Sequence, residues 1–248
     1  MPAYTDEGIV LRRVDYGESD RILTILTREH GKIGVIARGA RKSGSRLAAH
    51  TDLFSRSRMG LARGRGELEV LTQAQRSETA PALGDARRAA CASLCAELAD
   101  RVMEDRHPDP QAFEFLAAAL SACADRSQDP RSAVAWFARR MIDRLGYAPQ
   151  LHDCAACGRR LAERAAYFSA RAGGLLCDSC SFGQAETVEC SVRVIKVLRT
   201  VAAGDAQLYA RLRLDPATLD ALEAVVEREL AQHVDRRLRS LEVLRALS

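Results

Sequence analysis

The sequence predicts a mixed α+β protein: an N-terminal five-stranded barrel, then a mostly helical domain carrying a four-cysteine metal module. Three observations lead there. Residues 8 to 76 alternate apolar and polar side chains between glycine turns, the apolar period turns helical from residue 85, and two C-x-x-C pairs stand 19 residues apart. With 248 residues, two units are expected, 1–80 and 81–248, the metal module lying within about 150–184.

The strands read as Gly8 to Arg13, Asp20 to Thr27, Gly31 to Ala40, Leu53 to Ala62 and Gly66 to Arg76. In the second, Ile22, Thr24 and Leu26 face one way and Leu23, Ile25 and Thr27 the other, the pattern of a strand covered on both faces. Five strands in about 70 residues suit a small closed barrel. The OB-fold is one such barrel, and its strand face and loops commonly hold oligonucleotides.

The helices follow from period and caps. Cys91, Leu94, Cys95, Leu98 and Val102 form one apolar stripe, Phe113, Leu116, Leu120 and Cys123 a second, and Val134, Phe137, Met141 and Leu145 a third that Gly146 ends. Asp109-Pro110, Asp129-Pro130 and Asp215-Pro216 each set a capping carboxylate before a proline, whose fixed φ and missing N–H suit the first helical position. Two further stretches, Ser191 to about Ala203 and Pro216 to about Arg239, complete the helical part.

Composition bounds the function. The longest uncharged run, Phe115 to Ala124, has ten residues, against the roughly 20 that a membrane helix needs. No membrane partner is expected. The N-terminal MPAYTDEG lacks the basic and apolar regions of a secretory signal, so a reducing, cytoplasmic setting is expected, with the eight cysteines as thiols or metal ligands.

The charge is informative once located. Residues 81–248 carry 23 basic and 23 acidic side chains, so the net +4 resides in residues 1–80, which have 14 basic and 10 acidic ones. From Arg28 to Arg65 ten basic residues face two acidic ones, Glu29 and Asp52. Such a segment is either a solvated face or the footprint of a polyanion that relieves its self-repulsion. Nucleic acid is the leading candidate. Lys32, Arg38, Arg41, Lys42, Arg46, Arg56, Arg58, Arg63 and Arg65 are the candidate contacts, with the arginines from 56 to 65 mostly at even spacing, which places strand side chains on one face.

Cys154-x2-Cys157 and Cys177-x2-Cys180 have the spacing of a four-thiolate zinc site. Each knuckle offers two sulfurs, and a hairpin built from Tyr167 to Ala170 and the Gly173-Gly174 turn brings the pairs together. Four thiolates leave no open position, so one structural, non-catalytic Zn2+ per chain is expected. Cys91, Cys95 and Cys123 lie on apolar stripes and read as core, as does Trp136. Cys190 borders a helix start, and its role stays open. His152 lies two residues before the first knuckle and reads as surface or as a neighbour of the ligands. The remaining histidines, 30, 50, 107 and 233, have no evident partner.

No phosphate-binding G-x-x-x-x-G-K-[ST], nucleophile elbow or H-E-x-x-H occurs. Glu67 and Glu69 read as one solvated strand face. Neither an enzyme nor a small-molecule substrate is expected.

The run GIVLRRVDYGESDRILTILTREHGKIGVIARGARKSGSR (Gly8 to Arg46) resembles the N-terminal region of the bacterial recombination mediator RecO family. RLGYAPQLHDCAACG (Arg144 to Gly158) resembles that family's entry into its zinc module, and Leu219 to Leu241 is also similar. The turn Tyr16-Gly17-Glu18-Ser19-Asp20, the strand end Ala37-Arg38-Gly39-Ala40-Arg41 and the helix end Leu145-Gly146-Tyr147 are the most specific pieces. The resemblance implies an OB-fold, binding of single- and double-stranded DNA, annealing of complementary strands, and cooperation with RecR and single-strand-binding protein in loading a recombinase during repair.

Two traits are this chain's own. It has 34 arginines and three lysines, which favours bidentate phosphate contacts. Its barrel region has few aromatics, Tyr4, Tyr16 and Phe54, so backbone charge should outweigh base stacking and sequence preference should be weak. Competing readings are an RNA- or ribosome-associated OB-fold and zinc protein, a zinc-dependent nuclease, and an adaptor that holds proteins without touching DNA.

Overall fold

The computed structural model describes residues 3–64, 66–77, 83–204, 206–234 and 238–247. The chain forms two compact units, one of residues 1–126 with 238–248 and the other of residues 127–237.

In the first unit five strands, β1 (Ala3–Tyr16), β2 (Asp20–Thr27), β3 (Gly31–Ala37), β4 (Arg56–Ala62) and β5 (Glu69–Arg76), close into a barrel in the order β1-β2-β3-β5-β4. All neighbours are antiparallel except β3 and β5, which meet in parallel at Val35↔Glu69 and Ile36↔Val70. Closure leaves no free sheet edge. Val10, Leu23, Ile25, Ile33, Val35, Ala37, Met59, Leu61 and Leu71 fill the interior, and burying each of the larger ones, Val, Leu, Ile or Met, contributes roughly 1.5–3 kcal/mol.

The predicted mixed class and the barrel stand, with local corrections. β1 runs beyond Gly8 to Arg13 at both ends, pairing with β4 along its first half and with β2 from Gly8 onward, and a bulge between Val10 and Arg12 interrupts the β2 register and bends the strand. β2 is covered on both faces only at its end: Leu23, Ile25 and Thr27 are sealed on one face, while on the other Leu26 is buried but Ile22 and Thr24 remain partly exposed. β4 begins at Arg56 and not Leu53, because Phe54 takes φ 65° and turns the chain. Gly31 opens β3 at φ 73°, where a Cβ would lie 2.5 Å from the backbone of His107.

After the barrel come α1 (Ala86–Val102) and α2 (Pro110–Ala124), whose stripes Cys91, Leu94, Cys95, Leu98 and Phe113, Leu116, Leu120, Cys123 are buried, with Val102 at the end of the first only half-buried. Asp85 and Asp109 cap them through the amides of Arg88 and Ala112.

The second unit holds α3 (Pro130–Arg144), β6 (Ala166–Ser169), β7 (Gly174–Leu176), the single turn α4 (Asp178–Ser181), β8 (Val188–Cys190), α5 (Val192–Ala202), α6 (Ala206–Arg211) and α7 (Pro216–His233). Asp129, Ser191 and Asp215 cap α3, α5 and α7. Gly146 follows α3 at φ 89°, the left-handed position expected of it. The final helical stretch does not run unbroken to Arg239: α7 ends at His233 and Val234 is extended. A separate helix, α8 (Arg239–Ala246), belongs to the first unit. Among the described residues no helix is long and apolar enough to cross a membrane.

Candidate metal centre and nucleic-acid surface

The metal module is a hairpin with a knuckle at each end. Tyr167↔Leu176 and Ser169↔Gly174 pair β6 with β7 as the sequence suggests, and β8 adds a third strand on β6. The first knuckle is closed by the amide of Gly158 donating to the carbonyl of Cys154 at 2.8 Å, with Gly158 at φ 72°. Ala155 donates to the carbonyl of Leu175 at 2.8 Å, tying this knuckle to β7. The second closes from Cys180 N–H to the carbonyl of Cys177 at 3.0 Å.

All four sulfurs, of Cys154, Cys157, Cys177 and Cys180, lie within 4.8 Å of one another, those of Cys157 and Cys177 being 4.0 Å apart. Zinc–sulfur bonds of about 2.3 Å place tetrahedral sulfurs about 3.8 Å apart, so the donor set could hold a metal ion of zinc's size. The electrostatics agree. Burial works against the Cys154 thiolate, but the amides of Cys157, Cys177 and Ala156 draw its pKa down to about 6, whereas the neighbouring sulfurs of Cys177, Cys157 and Cys154 push Cys180 up to about 12. Four thiols this close cannot all ionise without a cation between them.

The other cysteines are elsewhere. Cys91, Cys95 and Cys123 are core residues, and Cys190 is buried at the end of β8, where burial pushes its thiol up to about 12. His152 is exposed. Trp136 is buried in α3, as expected. Three histidines do have partners: His30 Nδ1 meets Asp6 Oδ2 at 2.7 Å, His50 Nδ1 meets Ser57 Oγ at 2.9 Å, and His233 stacks on Tyr147. Glu69 departs from the solvated face expected of it. It is 2% exposed, accepts from the Tyr4 hydroxyl, and pairs with Arg106 at 2.9 Å.

The cationic residues divide into two groups. Arg38, Arg41, Lys42 and Arg46 are all exposed on the loop from β3 to β4, and Arg58 on β4 and Arg63 just beyond it are exposed as well. Arg65 lies outside the described residues. Lys32 and Arg56, by contrast, are engaged. The Lys32 ammonium donates to the carbonyl of Asp100 and lies 3.4 Å and 3.3 Å from the carboxylates of Asp100 and Asp105. Arg56 grips Glu7 through two bonds of 2.9 and 3.1 Å and covers the ring of Phe113. Even spacing does put Arg56 and Arg58 on one strand face, yet of the two only Arg58 makes no ion pair among the described residues.

The loop is seated on the first hairpin. Asp20 accepts from the Gly39 amide at 2.8 Å, and Arg41 N–H donates to the Ser19 carbonyl at 2.8 Å. Gly39 takes φ 65° to make that turn. The Gly39 amide, joined by Ser19, Arg38 and Lys42, holds the Asp20 carboxyl below its ordinary range. The two sequence pieces Tyr16–Asp20 and Ala37–Arg41 are thus one structural device.

Arg13 and Arg21, which sequence reasoning passed over, complete the mouth of the barrel. Register pairs Arg13 with Leu23 and Asp15 with Arg21. The face that carries Leu23 and Ile25 into the core therefore carries Arg13, Asp15 and Arg21 at its open end. There Asp52 contacts Arg13 and Arg21, and Asp15 contacts Arg21 and Arg41. The only signal in the sequence is the alternation of Arg13 with Asp15 before the turn.

Two family models match the sequence, one described as Recombination protein O N terminal over residues 1–79 and one as Recombination protein O C terminal over residues 83–242. Curated relatives named DNA repair protein RecO align along most of their length. The protein from Roseiflexus sp. (strain RS-1) is 37% identical over 97% of this chain and 84% of its own. That from Heliobacterium modesticaldum is 35% identical over 100% and 91%, and that from Bifidobacterium adolescentis 32% identical over 98% and 100%.

Proposed function

This chain belongs to the Recombination protein O (RecO) family of DNA repair proteins, and from that membership we propose that it works as a recombination mediator, binding DNA at the mouth of its barrel. The observation that carries the reading is the exposed quartet Arg38, Arg41, Lys42 and Arg46 on a loop tied down by Asp20 and Ser19. A loop whose backbone is already held needs little ordering when a phosphate backbone arrives.

The mechanism is charge neutralisation. Two single strands repel through their phosphates, and a basic surface that binds both lowers the barrier to their meeting. Annealing of complementary strands then needs no covalent chemistry and no catalytic group. Residues 1–80 act as the nucleic-acid-binding barrel and residues 81–248 as the helical domain with its module at about 150–184. Bound by Cys154, Cys157, Cys177 and Cys180, one zinc ion would join the two knuckles and stabilise that module, with no position left for a substrate. Single- and double-stranded DNA, RecR and single-strand-binding protein are the partners, the outcome is recombinase loading onto coated single strands, and the setting is the bacterial cytoplasm, at the nucleoid during repair.

The test is fluorescence anisotropy on a labelled single-stranded DNA oligonucleotide with excess unlabelled RNA, followed by an annealing assay. Binding that survives the RNA together with accelerated annealing supports the reading. Loss of binding to RNA competitor favours the RNA-associated reading, cleavage of the strand favours a nuclease, and absence of any anisotropy change favours an adaptor.

A further inference from the structure

At the barrel mouth one carboxylate oxygen, Asp52 Oδ1, receives two guanidinium groups, from Arg13 Nη1 at 2.5 Å and Arg21 Nη1 at 3.2 Å. We propose that Arg13 and Arg21 form a phosphodiester-binding site whose occupant in this structure is the side chain of Asp52. The proposal rests on the reading that the barrel mouth binds nucleic acid, and it adds two residues and an internal competitor to that surface.

Arg21 is fixed before any ligand arrives. Arg21 Nη1 also donates to Thr51 Oγ1 at 2.7 Å, its Nε lies 3.5 Å from Asp15, and that side chain is only 16% exposed. The Nε is buried against Asp15 without a hydrogen bond, which leaves the Nη groups to meet a ligand. Arg13 and Asp52 are the accessible pair, at 36% and 53% exposure. Exposed ion pairs contribute little stability, so a phosphate with two free oxygens can replace a carboxylate that offers one. Forked guanidinium groups match those oxygens bidentately.

Asp52 is not what anchors the loop. Thr51 Oγ1 donates to the Ala48 carbonyl at 2.8 Å, Ser55 Oγ to the Ala49 carbonyl at 3.1 Å, and Phe54 and Val10 exchange backbone bonds with β1 and the loop at 2.9 and 3.1 Å. These remain when Asp52 lets go. The site also continues the exposed cations, because Asp15 links Arg21 to Arg41 at the start of the loop. A strand lying on Arg41 and Lys42 would bring its next phosphate toward Arg21 and Arg13.

The experiment is a salt titration of anisotropy on labelled single-stranded oligothymidine with the full chain, its Asp52→Asn variant, Arg13→Gln, and the double variant, with thermal melts as a check on folding. Asp52→Asn should bind about fourfold tighter near 100 mM salt, the effect of removing one like charge about 5 Å from a phosphate in water. Its slope of log affinity on log salt should steepen by about 0.7, one additional single-strand contact. In the Arg13→Gln background the gain should fall by at least half, because the two changes act on one site. An unchanged affinity in Asp52→Asn, or the full gain persisting beside Arg13→Gln, overturns this site while leaving the wild type's binding as it is. If neither wild type nor Asp52→Asn binds, the functional reading falls and the site with it.

Discussion

The carboxylate of Asp20, the first residue of β2, accepts the backbone amide of Gly39 at 2.8 Å. That single bond joins the β1–β2 turn to the loop that displays Arg38, Arg41, Lys42 and Arg46. A residue with no cationic charge of its own thereby fixes where the cations stand.

Replacing Asp20 by glutamate, which keeps the charge but moves the carboxylate off the Gly39 amide, should weaken single-strand binding about threefold, by returning to the loop the entropy of roughly one ordered side chain. The structure also sets a pH window. Because the folded carboxyl is held below the ordinary value near 3.9, the stability it provides is fully present above that value and disappears as pH falls through the folded pKa. Denaturant melts of wild type and Asp20→Asn should differ at pH 7, and the difference should shrink below about pH 4. A gap of constant size across that range would show that the bond is not made.

If about five exposed cations neutralise phosphates, log affinity for a single strand should fall with log salt at a slope near −3.5, about −0.7 per contact. Replacing Arg41 and Lys42 together by alanine should flatten that slope by about one unit and slow annealing in proportion, equally for all sequences. Part of the Arg41 charge is already shared with Asp15, which keeps the loss below two full contacts. A titration of both proteins on the same oligonucleotides decides it, and an unchanged slope would move the site to other arginines, such as Arg236, Arg237 and Arg239. Of these, 236 and 237 lie outside the described residues.

Arg56 should behave in the opposite sense. Its guanidinium holds the half-buried Glu7 and covers Phe113, so Arg56→Ala should cost about 1–3 kcal/mol of folding stability and leave the salt slope as it was. Paired melts and anisotropy titrations separate the two effects. A flattened slope with unchanged stability would return Arg56 to the binding surface.

The metal prediction concerns stability and not affinity. One zinc per chain should be found by elemental analysis of protein purified without chelator. Cys157→Ser should lose it and melt roughly 10 °C lower, since binding energy of several kcal/mol enters folding at about 2–4 °C each. Single-strand affinity should stay within about twofold, because the ligands lie outside the cationic segment. Metal-free wild type, or an equal loss of DNA affinity, would contradict this.

Local physics was legible in the sequence and long-range pairing was not. β2 was delimited at Asp20 and Thr27 and the caps Asp109, Asp129 and Asp215 at their helices, because alternation and capping chemistry act within a few residues. The four-cysteine cluster was legible because knuckle spacing is itself a geometric statement. The engagement of Lys32 by Asp100, 68 residues away, and the burial of Glu69 between Tyr4 and Arg106 depend on which surfaces meet after folding. Arg13 and Arg21 escaped notice for the same reason: their role arises where the barrel's inner face runs out under a loop 30 residues further on. β8 has three residues, too few for any period to show.

The carboxylate of Glu97 on α1 accepts the backbone amides of Arg239 and Ser240 at 3.1 and 2.8 Å, supplying the N-terminus of α8 with the acceptors its own side chains do not provide. That clasp has a consequence in time. During synthesis the barrel, α1 and α2 leave the ribosome first, yet their unit is completed only when residues 238–248 emerge after the whole of residues 127–237. The second unit can finish its folding while the first still waits with the helix-binding side of α1 uncovered. The order in which the chain is made is therefore the reverse of the order in which its two units are sealed.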